Sequence, residues 1–181
     1  MESKSILEFG AHPDDLEIGM GGTIAKLSAM GYGVQPIIAT LPNFVKSDTK
    51  EGRKTESMLS AKVMGCKSPV FLDLPPDEMV FGRKMVTLID SLVTKYKPDS
   101  IFTQWYGDSH QDHQILTKSI ISACRDQNNI FMYETTIPGG ITENSFRPQL
   151  YVNITETIET KKNALGCFES QSVRCGQIWI P

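Results

Sequence analysis

Short β-prone runs alternate with segments of helical period along nearly the whole chain, and that alternation constrains the fold more than any other feature. Ser5 to Gly10 is an apolar run closed by glycine, and residues 19–30 then place Ile24, Leu27 and Met30 on one helical face. Residues 34–41 are rich in β-formers. After a polar loop, residues 53–64 set Met58, Leu59, Val63 and Met64 at helical spacing before Gly65. Val70 to Leu74 and residues 101–105 read as strands, with Met85, Leu88, Ile89, Leu92 and Val93 forming a helical stripe between them. Residues 110–125 predict a further helix, 130–133 and 150–154 two more strands, and 155–168 a last helix. The Met and Leu stripes read as core. Such alternation predicts an α/β fold: a mostly parallel sheet covered on both faces, joined by right-handed crossovers, with ligands at the carboxyl ends of its strands.

A chain of 181 residues, 40% of them hydrophobic, suits one domain spanning 1–181. Its 18 basic and 21 acidic residues are scattered, so no basic stripe marks a nucleic-acid or membrane surface. Cys66, Cys124, Cys167 and Cys175 show no metal or disulfide spacing and read as inert thiols in a reducing compartment. With no signal-like segment and no long apolar stretch, a cytoplasmic location is expected. The last residues, 173–181, show no periodicity and look like an interrupted chain.

Two clusters carry the chemistry. The first strand runs out into Ala11-His12-Pro13-Asp14-Asp15, where a histidine and two carboxylates crowd the ligand-binding edge of the sheet. Buried together without a cation they would repel, and a metal removes that cost. His12 and Asp15 stand three apart and can reach one point while Asp14 projects differently. The second cluster, Asp108-Ser109-His110-Gln111-Asp112-His113, follows the strand at 101–105 and opens the next helix. The chain's three histidines all fall in these clusters. Imidazole and carboxylate suit zinc, and a catalytic zinc takes three protein ligands, so one histidine of the second cluster, His110 or His113, completes the set. Taken singly, H-P-D-D also fits an aspartate-capped turn, and H-x-x-H a solvated helix face.

Gly19-Met20-Gly21-Gly22 invites comparison with a dinucleotide fingerprint. The third glycine of that fingerprint would fall at Ile24, and no acidic residue closes the second strand at Thr40-Leu41. These glycines read instead as permitting close helix–sheet packing near the site.

Residues 11–15, continuing through Glu17-Ile18-Gly19-Met20-Gly21-Gly22-Thr23, together with His110-Gln111-Asp112-His113, resemble the LmbE/PIG-L family of zinc-dependent N-acetylglucosaminyl deacetylases. Arg53-Lys54-Thr55-Glu56 and the helix ending at Gly65 fit the same pattern. The resemblance implies a Rossmann-like three-layer sandwich and a mononuclear Zn(2+) held by His12, Asp15 and His113. It further implies Asp14 as general base, His110 stabilising or protonating the intermediate, Asp112 orienting a histidine, and Arg53 meeting the sugar. The expected substrate is a small N-acetylated sugar, with neither nucleic acid nor membrane as partner and room for a homo-oligomer. Relatives continue past residue 171 further than this chain does, so a C-terminal segment of the domain is expected to be lacking. Two other readings accompany this one: a zinc hydrolase of a non-sugar amide, and a metal-binding homologue without activity.

Overall fold

The computed structural model describes residues 4–41, 49–135 and 145–172. Five strands form its sheet: β1 (Ser5–Gly10), β2 (Gly33–Thr40), β3 (Val70–Leu74), β4 (Ser100–Gln104) and β5 (Ile130–Tyr133). They lie in the order β3-β2-β1-β4-β5 and every pairing is parallel. A parallel pair needs a crossover connection. The helices are α1 (Asp15–Ala29), α2 (Lys50–Met64), α3 (Arg83–Tyr96), α4 (Gln111–Ala123), α5 (Ile158–Leu165) and the short α6 (Glu169–Ser172). The sheet grows from β1 out to β3, then returns to place β4 on the other side of β1. The order therefore reverses between β1 and β4, which opens a crevice at their carboxyl ends.

Alternation along the strands fills both faces. Leu7 and Phe9 of β1, Ile37 of β2 and Ile101 of β4 pack against Met85, Ile89, Leu92 and Val93 of α3 and Leu116 and Ile120 of α4. Ile6, Val34 and Ile38 face the other way, against Leu16, Met20 and Ile24 of α1, Met64 of α2 and Ala164 of α5. Glu8 lies on this second face, fully buried, and neither of its carboxyl oxygens has a hydrogen-bond partner among the described residues.

Three expectations are corrected. Residues 150–154 form no strand. They lie against α1 instead: Lys26 Nζ donates to Asn153 O at 2.8 Å, Ile154 packs against Gly22, and just beyond them Thr157 Oγ1 donates to Gly22 O at 2.7 Å. Of the stripe on α2 only Met64 is core, since Met58, Leu59 and Val63 are exposed. The helix is rolled so that Arg53, Ser57, Ser60, Ala61 and Met64 face inward, and Ser60 Oγ donates to Glu17 on α1 at 2.5 Å. Small side chains let the two helices approach, and the polar ones find partners there. Finally, α1 starts at Asp15, four residues earlier than its apolar period suggested, so the metal motif itself opens the helix.

Gly19 bears out the close-packing reading. A Cβ there would lie 2.2 Å from the Tyr133 ring of β5, whose hydroxyl donates to Phe9 O at 2.7 Å. Gly22 instead makes room for Ile154, and Gly21 for Lys161 of α5. Cys66, Cys124 and Cys167 are free thiols, while Cys175 and residues 173–181 lie outside the described residues. Among the described residues no helix is long and apolar enough to cross a membrane.

Candidate metal centre

The chain leaving β1 has only residues 11–14 before α1 begins. This turn is held from both sides: Thr40 N–H donates to Ala11 O at 2.9 Å, and Arg53 Nη2 to Pro13 O at 2.8 Å. Asp14 sits in it at φ 93°, a left-handed conformation that costs a non-glycine residue of the order of 1 kcal/mol or more. Its carboxylate makes no capping bond to α1, so helix capping does not account for it. Asp15, the first residue of the helix, turns back into the crevice and accepts from His12 N–H and from Gln104 Nε2, each at 2.7 Å.

The end of β4 supplies the other half. Asp108 accepts from the backbone N–H of His110 at 2.8 Å and from Thr135 Oγ1 at 3.0 Å, and it lies 2.9 Å from His113 Nδ1. Asp112 lies 2.9 Å from His12 Nε2 across 100 residues of sequence. Each of these two imidazoles thus has one nitrogen held by a carboxylate, and its other nitrogen faces Asp15. His12 Nδ1 is 3.5 Å from Asp15 Oδ2, and His113 Nε2 is 3.4 Å from Asp15 Oδ1. Tetrahedral zinc ligands at ~2.0–2.2 Å from the ion stand roughly 3.4 Å apart, and each imidazole nitrogen lies at about that distance from an Asp15 oxygen, His12 from Oδ2 and His113 from Oδ1; metal-ligating histidines regularly have their outer nitrogen held by a carboxylate.

His110 completes a cluster in which the three histidines bring ligand nitrogens within 4.8 Å of one another. It differs from the other two. It is exposed, and its Nδ1 accepts the Asp112 N–H at 3.2 Å as the N-cap of α4. In the neutral ring the proton then sits on Nε2, which is left to donate.

The carboxylates draw positive charge into the site. Burial alone would lower the histidine pKa values, but Asp112 and Asp15 raise that of His12 to about 9, and Asp15 and Asp108 raise that of His113 to about 10. Burial would raise Asp15, yet His113 and His12 hold it far below the usual carboxylate range. Asp14 is pushed up to about 8 by burial and by the charge of Asp15. A site that traps protons on two imidazoles is one where a divalent ion can replace them. His110 is lowered by burial and by the neighbouring His12 and His113.

The residues expected at the site from sequence gather around this crevice, Arg53 through the bond from its buried side chain to Pro13 O of the turn. Glu56, on the same helix, accepts from Ser170 N–H and Oγ. Three contributors lacked an assigned role. Asp108 had a signal, its place at the head of D-x-H-x-D-H. Gln104 had a fainter one as a polar residue closing an apolar strand. Thr135 had none.

The sequence profile described as GlcNAc-PI de-N-acetylase (PIG-L) matches residues 7–124. The chain is 29% identical over 167 residues to the uncharacterized deacetylase YaiS of Escherichia coli, covering 89% of this chain and 88% of that protein. It is 26% identical to the diacetylchitobiose deacetylase of Thermococcus kodakarensis, covering 98% of this chain and 74% of that one. Among solved structures, the N,N'-diacetylchitobiose deacetylase of Pyrococcus horikoshii in complex with an inhibitor aligns with a TM-score of 0.81 at 25% identity, over 94% of this chain and 71% of the other. The matched stretch runs from β1 to the end of α4 and so contains all three histidines and their carboxylate partners Asp15, Asp108 and Asp112, and the chain belongs to the PIG-L family of de-N-acetylases.

Proposed function

We propose that the chain is a single-domain zinc hydrolase that removes the acetyl group from an N-acetylglucosamine-containing small molecule or glycoconjugate. The observation that carries this reading is the pair of histidines, each fixed by a carboxylate on its outer nitrogen, with the inner nitrogens 3.5 and 3.4 Å from Asp15. The relatives that deacetylate diacetylchitobiose support an acetamido sugar as substrate.

His12, Asp15 and His113 would hold the zinc, which when bound supplies a Lewis acid and a water of lowered pKa. Asp14, next to the ligand Asp15 yet without a capping bond, takes the proton of the attacking water. His110 presents Nε2–H to the developing oxyanion, and the proton that Asp14 took from the water passes on to the departing amine. Asp112 and Asp108 keep the two ligand imidazoles in one tautomer and orientation. Arg53 acts on the turn that carries His12, Asp14 and Asp15, as a positioning residue.

Metal content and acetate release test this together. Wild-type protein purified without chelator is expected to hold about one divalent ion per chain and to release acetate from N-acetylglucosamine or diacetylchitobiose. His12→Ala loses the ion, whereas Asp14→Asn keeps it and loses at least ~100-fold in kcat. Absence of stoichiometric metal in the wild type, or full activity of Asp14→Asn, sinks the reading. A preference for ring-free amides would remove the sugar. Bound metal with no amide hydrolysed would leave a binding protein.

A further inference from the structure

We infer that the turn closing β4 carries a sugar-stacking wall, the Tyr106 ring with Trp105 packed behind it, which receives the apolar face of a pyranose ring of the substrate. This rests on the proposed deacetylation and adds what holds the sugar. Trp105 N–H donates to Tyr133 O at 2.8 Å, which fixes the start of the turn to the sheet. Asp108 N–H returns to Trp105 O at 3.2 Å, so residues 105–108 form a four-residue turn. Gln104, just before the aromatic pair, and Asp108, two residues after it, belong to the candidate metal centre: Gln104 bonds Asp15, and Asp108 lies beside His113. Covalent connection therefore puts the backbone of the pair at the rim of the centre.

The pair is built as a wall. The Trp105 ring lies 4.1 Å from that of Tyr106 and 5.6 Å, edge-on, from that of Phe146, so it is supported on two sides. Tyr106 is 49% exposed, although Gln104 and Asp108, two residues to either side, are buried. The rest of the centre consists of carboxylates, imidazoles and amides, which recognise an acetamide and hydroxyls but offer nothing to C–H bonds. A pyranose has a hydroxyl-bearing rim and an apolar C–H face, and the electron-rich face of an aromatic ring complements the latter. A ring-free N-acetyl amide has no such face.

The test measures acetate release by wild type, Tyr106→Ala and Tyr106→Phe from diacetylchitobiose and from N-acetylethanolamine, together with calorimetric titration of the sugar into each zinc-loaded protein. Tyr106→Ala is expected to raise KM and Kd for the sugar roughly three- to tenfold. It should lower kcat/KM on the sugar by a larger factor than on N-acetylethanolamine, and Tyr106→Phe, which keeps the ring, should restore the sugar KM. Equal loss on both substrates would mean a merely structural role, and an unchanged sugar KM and Kd would remove the wall while leaving the deacetylase reading intact. If the wild type releases acetate from N-acetylethanolamine and not from the sugar, the sugar reading fails and the wall with it, while deacetylation stands. If neither substrate turns over, the titration decides: weaker sugar binding by Tyr106→Ala supports the wall, and equal binding overturns it.

Discussion

Asp108 accepts from the His110 N–H at 2.8 Å and the Thr135 hydroxyl at 3.0 Å while lying 2.9 Å from His113 Nδ1. The His113 ring holds its carboxyl down to about 2 against the opposing effect of burial, so it is an anion throughout the working range. Asp108→Asn keeps the shape but replaces one acceptor oxygen with a donor group. The His113 ring is then free to turn or change tautomer. Zinc affinity measured by chelator competition is expected to fall ~10–100-fold with the far-ultraviolet spectrum unchanged. An unchanged affinity would show that Asp108 serves only the turn. H-P-D-D and H-x-D-H were legible in the sequence because their members are near neighbours along the chain. Which imidazole nitrogen faces the centre was not, because it depends on contacts such as Asp112 to His12, 100 residues apart, that local spacing does not encode.

Elements show the same division between local and non-local information. The five strands and the stripe on α3 were readable from period alone, since apolar burial on a sheet or helix leaves a repeat of two or 3.6. Residues 150–154 have strand-like composition, yet they lie along α1, where Asn153 O meets Lys26 and Ile154 meets Gly22, and not beside a strand. On α2 the apolar residues misled, because close approach to α1 and α5 favoured the small and polar stripe of Ser57, Ser60 and Ala61. Leu59→Lys, on the exposed side, is therefore expected to change stability by no more than ~0.5 kcal/mol, whereas Ser60→Leu overpacks a contact with no exposed surface and costs about 1–3 kcal/mol. Denaturant midpoints of the two variants check this, and the reverse order would mean that the helix is rolled the other way. Gly19→Ala is a sharper case. Its Cβ would meet the Tyr133 ring at 2.2 Å, and that ring cannot retreat without giving up its bond to Phe9 O. A loss of about 1–3 kcal/mol is expected, and Tyr133→Leu in the same background should recover part of it, because the smaller side chain vacates the contact.

At the scale of the whole molecule, the second core holds carboxyl groups that mild acid should favour. Glu8 is raised well above the usual carboxylate range by burial and then by Glu17, and Glu17 is raised to about 7 by burial against the opposing bond from Ser60. A carboxyl whose folded pKa is raised stabilises the fold fully below its unfolded pKa, ~4.5, and that contribution is lost as pH climbs through the folded value. For Glu17 the window is about 4.5 to 7, and the loss is roughly 3 kcal/mol. His12, raised to about 9, acts in the same direction at higher pH. Asp108, lowered to about 2, acts oppositely, so its contribution disappears only in strong acid. The metal-free protein should accordingly melt at a higher temperature at pH 5 than at pH 8. Glu17→Gln, which keeps an acceptor for Ser60 but cannot ionise, should flatten that slope. Zinc should raise the melting temperature more at pH 8 than at pH 5, because it replaces protons on His12 and His113 that are harder to displace in acid. Melting curves with and without chelator decide the matter: a metal-free protein more stable at pH 8 than at pH 5, with a Glu17→Gln slope like that of the wild type, would mean that the buried carboxyl groups are relieved by water or by rearrangement of α1 and do not govern the pH response of the fold.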